Sequence, residues 1–465
     1  MRPLVVIDVV GVTPRLLPHM PNLRSVAAGG FQANLETVLP AVTCSVQSTL
    51  LTGLLPRDHG IVGNGWFFRD LGEVHLWRQH NALVRGPKLW DALPPGSRTA
   101  NVCWWYAMGA ATDLLVTPRP VYHADGRKSP DCYTRPPALH DELEAELGPF
   151  PLFDYWGPTA GIGSSRWIVA AARSILRRHR PDCLLVYVPH LDYDLQRHGP
   201  GSPHAARAAR EVDAVLGPLL DDARNRDAAV VALSEYGITA ARRPVHVNRA
   251  LREAGLLEVH AQNGGELLDS WTSRAFAVAD HQVAHVYVRD PADLERVRGL
   301  CAGLPGVDEV LDRSGQAVRG LDHERAGELV LVAEPDAWFT YYYWLDDGRA
   351  PDFARGVEIH RKPGYDPAEL FLDPRDPLVK ARAAVTLARK RLGLRYSMRV
   401  VPLDPSCVRG THGRLPDDPA DGPVLLCSDP AAGVAGAGDR GSIRATEVKD
   451  LLVRLAGAAE PARSR

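Results

Sequence analysis

The sequence predicts an α/β fold with a mostly parallel central sheet flanked by helices, and three observations carry that prediction. Short apolar runs recur at residues 4–7, 99–104, 183–188 and 228–233. They have the length and unbroken hydrophobicity of strands buried on both faces. Between the last two, Ala206, Ala209, Val212, Val215, Leu216 and Leu219 fall at helical spacing. Strand, helix and strand at this interval make a parallel crossover unit. Asp8, Asp192 and Glu235 each stand just past an apolar run. Open α/β sheets bind ligands beyond the carboxyl ends of their strands.

The elements follow in order. MRPLVVIDVVG reads as the first strand rather than a signal peptide, because it runs into Asp8 and lacks a small-residue cleavage site. Residues 39–53, LPAVTCSVQSTLLTG, crowd hydroxyls at the start of a helix. Either they cap it or one of them is a nucleophile. Residues 65–147 are irregular and rich in Trp, Pro and Tyr. Residues 244–333 read as an inserted smaller α/β subdomain, with a strand at 285–290 and a helix near 291–302. Residues 1–243 and 334–465 then form the core. The aromatic and charged stretch 336–373 has no clear period and reads as pocket lining or as packed irregular chain. Residues 426–440 are a Gly/Ala-rich loop, and TEVKDLLVRL at 446–455 is a capped terminal helix.

Composition narrows the function. The chain has 465 residues, 45% hydrophobic and 24% charged, with a net charge of −2. That balance gives no footprint for nucleic acid or for an anionic membrane. A small phosphorylated substrate stays open, because a local site can be basic. Seven cysteines without a CxxC pair argue against a disulfide framework or structural zinc site. No apolar run reaches a membrane-spanning length, and the reading is cytoplasmic with no membrane span. Three carboxylates converging at strand ends would repel one another. A cation is the simplest compensation, unless each merely caps a helix.

Three segments now resemble the alkaline phosphatase superfamily, within it the nucleotide pyrophosphatase/phosphodiesterase branch. They are IDVVG with MPNLRSVAAGG at 7–30, LPAVTCSVQSTLLTGLLPRDHGIVGNGWF at 39–67, and PHLDYDLQRHGP, LSEYG and THG later in the chain. The resemblance implies an alkaline phosphatase-like core and a metal-dependent phosphoester hydrolase. It puts the nucleophile on Thr43, which would form a covalent intermediate, and a phosphate-holding amide on Asn64. It implies divalent metal ions, zinc in the family, held by Asp8, Thr43, Asp192, Gln196, Glu235, Tyr236 and His412. Cys44 competes with Thr43 as nucleophile, but the resemblance puts an apolar packing residue there. It is followed by Ser45 and Val46 rather than the Pro of a sulfatase motif.

Three of these positions depart from the family pattern. Gln196 and Tyr236 stand where it has His, and Glu235 where it has Asp. Oxygen-rich ligands suit Mg or Mn as well as Zn. A second register, Asp194 with His198, has the same one-turn spacing. His281, His285 and His360 are candidates to replace the missing nitrogens. Arg119, Arg361 and Lys362 are phosphate contacts or simply solvated. The resulting reading is a phosphodiesterase or nucleotide pyrophosphatase. The alternatives are a phosphomonoesterase on the same scaffold and a degenerate, non-catalytic binder of a phosphorylated ligand.

Overall fold

The computed structural model describes residues 2–124, 128–394, 397–430 and 441–457. Nine strands form the central sheet: β1 (Leu4–Val9), β2 (Phe31–Glu36), β3 (Thr99–Val102), β4 (Leu114–Pro118), β5 (Cys132–Arg135), β6 (Cys183–Val188), β7 (Ala229–Leu233), and, after an insertion, β12 (Val424–Cys427) and β13 (Ser442–Arg444). Their order is β13-β2-β12-β7-β1-β6-β3-β4-β5. Every strand runs with β1 except β5 and β12. The central strands β1, β6 and β7 are buried along their whole length. This is why they read as unbroken apolar runs. The second run ends at Val102 because Cys103 turns the chain with a φ of +69°.

The helices that position the site are α1 (Thr43–Thr52), α2 (Ile162–Arg178), α3 (His190–His198) and α4 (Pro203–Arg224). Helices α2 and α4 pack on each other and share the main core with β1, β6 and β7. Ser202 caps α4, its hydroxyl accepting from Ala205 N–H.

The insertion has its own four-stranded sheet. It consists of β8 (Ala275–Asp280), β9 (Val283–Val288), β10 (Val307–Leu311) and β11 (Leu329–Ala333), in the order β8-β9-β11-β10. All of its pairings are antiparallel. Helix α5 (Leu294–Ala302) joins β9 to β10. The core of this unit runs on past residue 333, through Phe339 and Tyr341–Trp344 to Phe353. Tyr341, Tyr342, Tyr343 and Trp344 are each at most 1% exposed, so this part of the aromatic stretch is packing.

Later in the chain lie α6 (Val379–Arg391) and α7 (Val448–Leu455), which packs on α1. The Gly/Ala-rich stretch begins inside β12, and its residues 431–440 lie outside the described residues. All seven cysteines are free. Among the described residues no helix is long and apolar enough to cross a membrane.

Candidate active site

Strand register brings the acidic residues together. Asp8 on β1 is paired with Tyr187 of β6 on one side and Leu233 of β7 on the other. Asp192 in the first turn of α3 follows β6 directly, and Glu235 follows β7 by two residues. All three carboxyls are buried. Gly237 lets the chain leave this corner, since a Cβ there would meet Asp421 O at 1.7 Å.

Helix α1 supplies the hydroxyl. Its N-cap is Val42, with no side-chain cap. The other hydroxyls of the helix bond elsewhere: Ser45 to Ile61 O, Ser48 to Cys44 O, Thr49 to His59 and Thr52 to Ser48 O. Thr43 Oγ1 instead lies 3.0 Å from the Tyr236 hydroxyl. It stands at the helix N-terminus, where free backbone N–H groups favour anions. One turn on, Gln47 Nε2 donates to Asp8 Oδ2 at 3.1 Å and Glu235 Oε1 at 2.6 Å. Gln47 Oε1 is fixed by the Trp105 N–H.

Asn64 is held on three sides. Its Oδ1 accepts from Cys44 N–H, its Nδ2 donates to Asp280 Oδ1, and its backbone N–H donates to Asp280 Oδ2. The Cys44 thiol is buried among Leu39, Ile61, Val62 and Trp66, and burial raises its pKa well above the ordinary value. A thiol so protonated is packing, as expected.

The other half of the site is built from α3, the THG segment and the insertion. Gln196 donates to Asp192 Oδ2 at 2.8 Å and accepts from the Tyr365 hydroxyl at 3.0 Å. His412 is oriented by Ala41 O at its Nδ1, stacks on Tyr236 at 3.7 Å, and has its Nε2 3.7 Å from Asp192 Oδ1. His281 packs against His412 and Tyr365, with centroids 3.7 and 3.6 Å away. It occupies the two-residue turn between β8 and β9 with a φ of +58°. That is a conformation glycine or asparagine adopts more easily. Its Nδ1 meets Asp280 Oδ1 at 2.8 Å.

Burial sets the charge states. It pushes Asp8 and Asp192 up to about 7 and Asp280 to about 6. Glu235 is raised well above its usual range by burial and then by Asp8. His281 and His412 are pushed well below theirs by burial, so both are neutral with a free lone pair. Tyr236 is held protonated by burial and by Asp192 and Glu235.

The chemistry of the donor set, rather than a closed cluster of ligand atoms, suits divalent cations. Asp8 Oδ1, Glu235 Oε2, Asp192 Oδ1, His281 Nε2 and His412 Nε2 are all buried without a hydrogen-bond partner among the described residues. A buried polar atom without a partner costs about 1–3 kcal/mol. Carboxylate oxygens and neutral imidazoles are the ligands that divalent ions take.

The remaining candidates lie elsewhere. Asp194 pairs with Arg197, and His198 stacks on His204. It is Asp192 and Gln196 that meet the other site residues. His285 is a packing histidine, with Nε2 on Val62 O and Nδ1 taking the Gly327 N–H. His360 bonds Leu76 O. Lys362 is buried between Asp366 and Glu369, both at 2.7 Å. Arg361 pairs with Asp352 at the surface, and Arg119 lies against Met108. Gln47, Asp280 and Tyr365 were not marked by the sequence reading. Only Gln47, one turn after Thr43 on the same helix face, carried a usable signal.

Comparison with known proteins gives the family and the fold. The profile of the type I phosphodiesterase/nucleotide pyrophosphatase family matches residues 4–366. An uncharacterised pyrophosphatase/phosphodiesterase of Schizosaccharomyces pombe is 26% identical over 227 residues, 47% of this chain and 40% of that protein. The chain thus spans less than half the length of this curated relative. Phosphonoacetate hydrolase of Sinorhizobium meliloti, solved with phosphonoformate, superposes with a TM-score of 0.63 at 18% identity, over 98% of this chain and 96% of that one. An inactive murine ectonucleotide pyrophosphatase/phosphodiesterase 5, solved with AMP, gives 0.58 at 14% identity, over 100% and 97%. At such identities these two establish the shared alkaline phosphatase-like fold.

Proposed function

Because the chain belongs to the type I phosphodiesterase/nucleotide pyrophosphatase family, we propose that it hydrolyses a phosphodiester or phosphoanhydride bond of a small phosphorylated metabolite, with Thr43 as nucleophile. The observation that carries this reading is the Thr43 hydroxyl. It starts α1 without capping it, and it faces Tyr236, around which Glu235 and His412 each leave a buried ligand atom unpartnered.

Thr43 Oγ1 attacks phosphorus, and the bond to the leaving oxygen breaks. Thr43 gives up its proton, the leaving group takes one, and water later returns the hydroxyl. Tyr236, kept neutral, holds the Thr43 hydroxyl in place through their shared hydrogen bond. Asn64 uses one amide hydrogen on Asp280 and keeps the other for a phosphoryl oxygen. Asp8, Glu235 and Thr43 on one side, and Asp192, His281 and His412 on the other, would hold divalent cations, which supply positive charge against the phosphoryl oxygens when bound. The two imidazoles favour Zn on their side, and the oxygen donors suit Mg or Mn on the other. Gln196, with both amide ends committed, positions Asp192.

Two structural relatives were solved with small phosphorus-bearing anions, AMP and phosphonoformate, which supports a ligand of that size. A phosphomonoesterase reading uses the same residues. The binder reading rests on Gln196 and Tyr236, whose polar atoms are already engaged.

The test is hydrolysis of an aryl phosphodiester and an aryl phosphomonoester by chelator-treated protein, with Zn, Mg and Mn returned singly. Diester turnover that returns with a cation and is lost in Thr43→Ala supports the proposal. Preference for the monoester favours the phosphomonoesterase, and tight ligand binding without turnover favours the binder.

A further inference from the structure

Away from the active site, α6 turns an apolar stripe toward solvent. Ala381, Val385 and Ala388 of the helix, with Leu378 just before it and Leu392 just after, recur at steps of three and four, the spacing of one helical face. Leu378, Val385 and Leu392 are 63%, 62% and 75% exposed. The stripe is not the face that packs on the protein. That role falls to Val379 and Ala383, which meet Ala368, Val400 and Val401. Among the described residues, five of the twelve exposed large hydrophobics lie within residues 378–394, a concentration unlike ordinary scatter.

Charge marks the same segment. Between Asp376 and Asp404 the sequence has seven Lys and Arg residues and no Asp or Glu. At 100° per residue, Arg389 falls along one side of the stripe together with Arg382, which pairs with Asp376, and Lys380 falls along the other. The chain as a whole carries −2, so the overall figure hides this local cationic patch. The helix lies beyond the residues matched by the family profile, and family membership does not account for it.

We propose that α6 docks on an anionic lipid surface. The apolar stripe would lie at the boundary of headgroups and acyl chains, with the flanking cations on lipid phosphates. An apolar stripe bordered by cations on both sides is the pattern of an interfacial helix. A symmetric contact with a second copy of this chain would oppose one cationic segment to another. Nucleic acid would engage the cations but leave the stripe in water. The docking face also adjoins the active-site wall. Ala368, under α6, follows by three residues Tyr365, whose hydroxyl reaches Gln196.

The test is cosedimentation of the full chain with phosphatidylcholine vesicles, with and without phosphatidylglycerol. Binding to the anionic vesicles should exceed binding to the neutral ones by about tenfold or more, and should weaken as salt rises. The double variant Val385→Glu/Leu392→Glu should lose that binding, while aryl phosphodiester turnover stays unchanged. Lys380→Glu/Arg389→Glu should weaken it without touching the stripe. Several results would overturn the proposal: no preference for anionic vesicles, binding that survives both variants, or a concentration-dependent dimer abolished by Val385→Glu/Leu392→Glu. Binding to a single-stranded oligonucleotide in place of vesicles would also overturn it.

Discussion

In the half of the site built on β1 and β7, the Gln47 amide bridges Asp8 and Glu235, leaving one oxygen of each without a partner. In the half built on α3, the β8–β9 turn and the THG segment, His412 Nε2 lies 3.7 Å from Asp192 Oδ1 with His281 packed on its ring, and neither Nε2 has a hydrogen-bond partner among the described residues. The difference is one of self-sufficiency. Two carboxyls can share a proton and an amide, so the first half tolerates the metal-free state. In the second half the two neutral imidazole nitrogens can be met only by a proton on Asp192, itself pushed up to about 7, or by a cation. The proposed cation site at Asp192, His281 and His412 should therefore be the tighter one, with the proposed nucleophile, Thr43, in the other half.

Substitutions test this division, beginning with the largest effect. Thr43→Ala should lower kcat by about 10³-fold or more, since the attacking atom is gone. Steady-state kinetics with an aryl phosphodiester measures it, and a loss below tenfold would move the nucleophile elsewhere. Asn64→Ala should cost about 10²–10³-fold in kcat, because one preorganised donor to a phosphoryl oxygen disappears. An unchanged kcat would make Asn64 a scaffold for Cys44 and Asp280 only.

The two halves then separate by binding. His281→Gln should weaken the tightest Zn affinity about 10–100-fold in calorimetric titration of chelator-treated protein. Gln47→Leu should leave that affinity unchanged. Its effect is on stability: with Asp8 and Glu235 deprived of their shared donor, the metal-free protein should lose about 1–3 kcal/mol by thermal unfolding, and added Mg should restore part of it. If Gln47→Leu rather than His281→Gln abolished Zn binding, the comparison would be reversed.

The last expected effect concerns acid and lies outside the site. Burial lowers His59 to about 3 and His285 to about 4. Their unfolded value is about 6.5. As pH falls below about 6.5 the unfolded chain takes up protons that the folded protein refuses. Stability is therefore complete above about 6.5 and falls between there and about 4, by up to about 1.4 kcal/mol per pH unit for each imidazole. Denaturant midpoints across this range should show the slope, and His285→Gln should reduce it.

The sheet was legible because its central strands are buried on both faces and so read as unbroken runs. Asp8, Asp192 and Glu235 were legible because strand ends are where such sheets gather ligands. By residue pattern alone Thr43 was one hydroxyl among several, since capping and nucleophilic roles look alike in sequence, and only the family resemblance singled it out; in the structure Ser45, Ser48 and Thr49 bond elsewhere. His281 stood on equal terms with His285 and His360. Hairpin geometry distinguishes it, and that depends on contacts distant in the chain. Asp280 and Tyr365 reach Asn64 and Gln196 across 216 and 169 residues, which no local pattern encodes. The cationic helix was hidden by a net charge averaged over the whole chain.

The most direct test of the central claim is rapid quenching of the protein during aryl phosphodiester turnover, followed by peptide mass spectrometry. A phosphoryl adduct is expected on Thr43, absent from Thr43→Ala. Turnover with the label on another residue, or with no adduct in a Thr43→Ala protein that remains active, would contradict it.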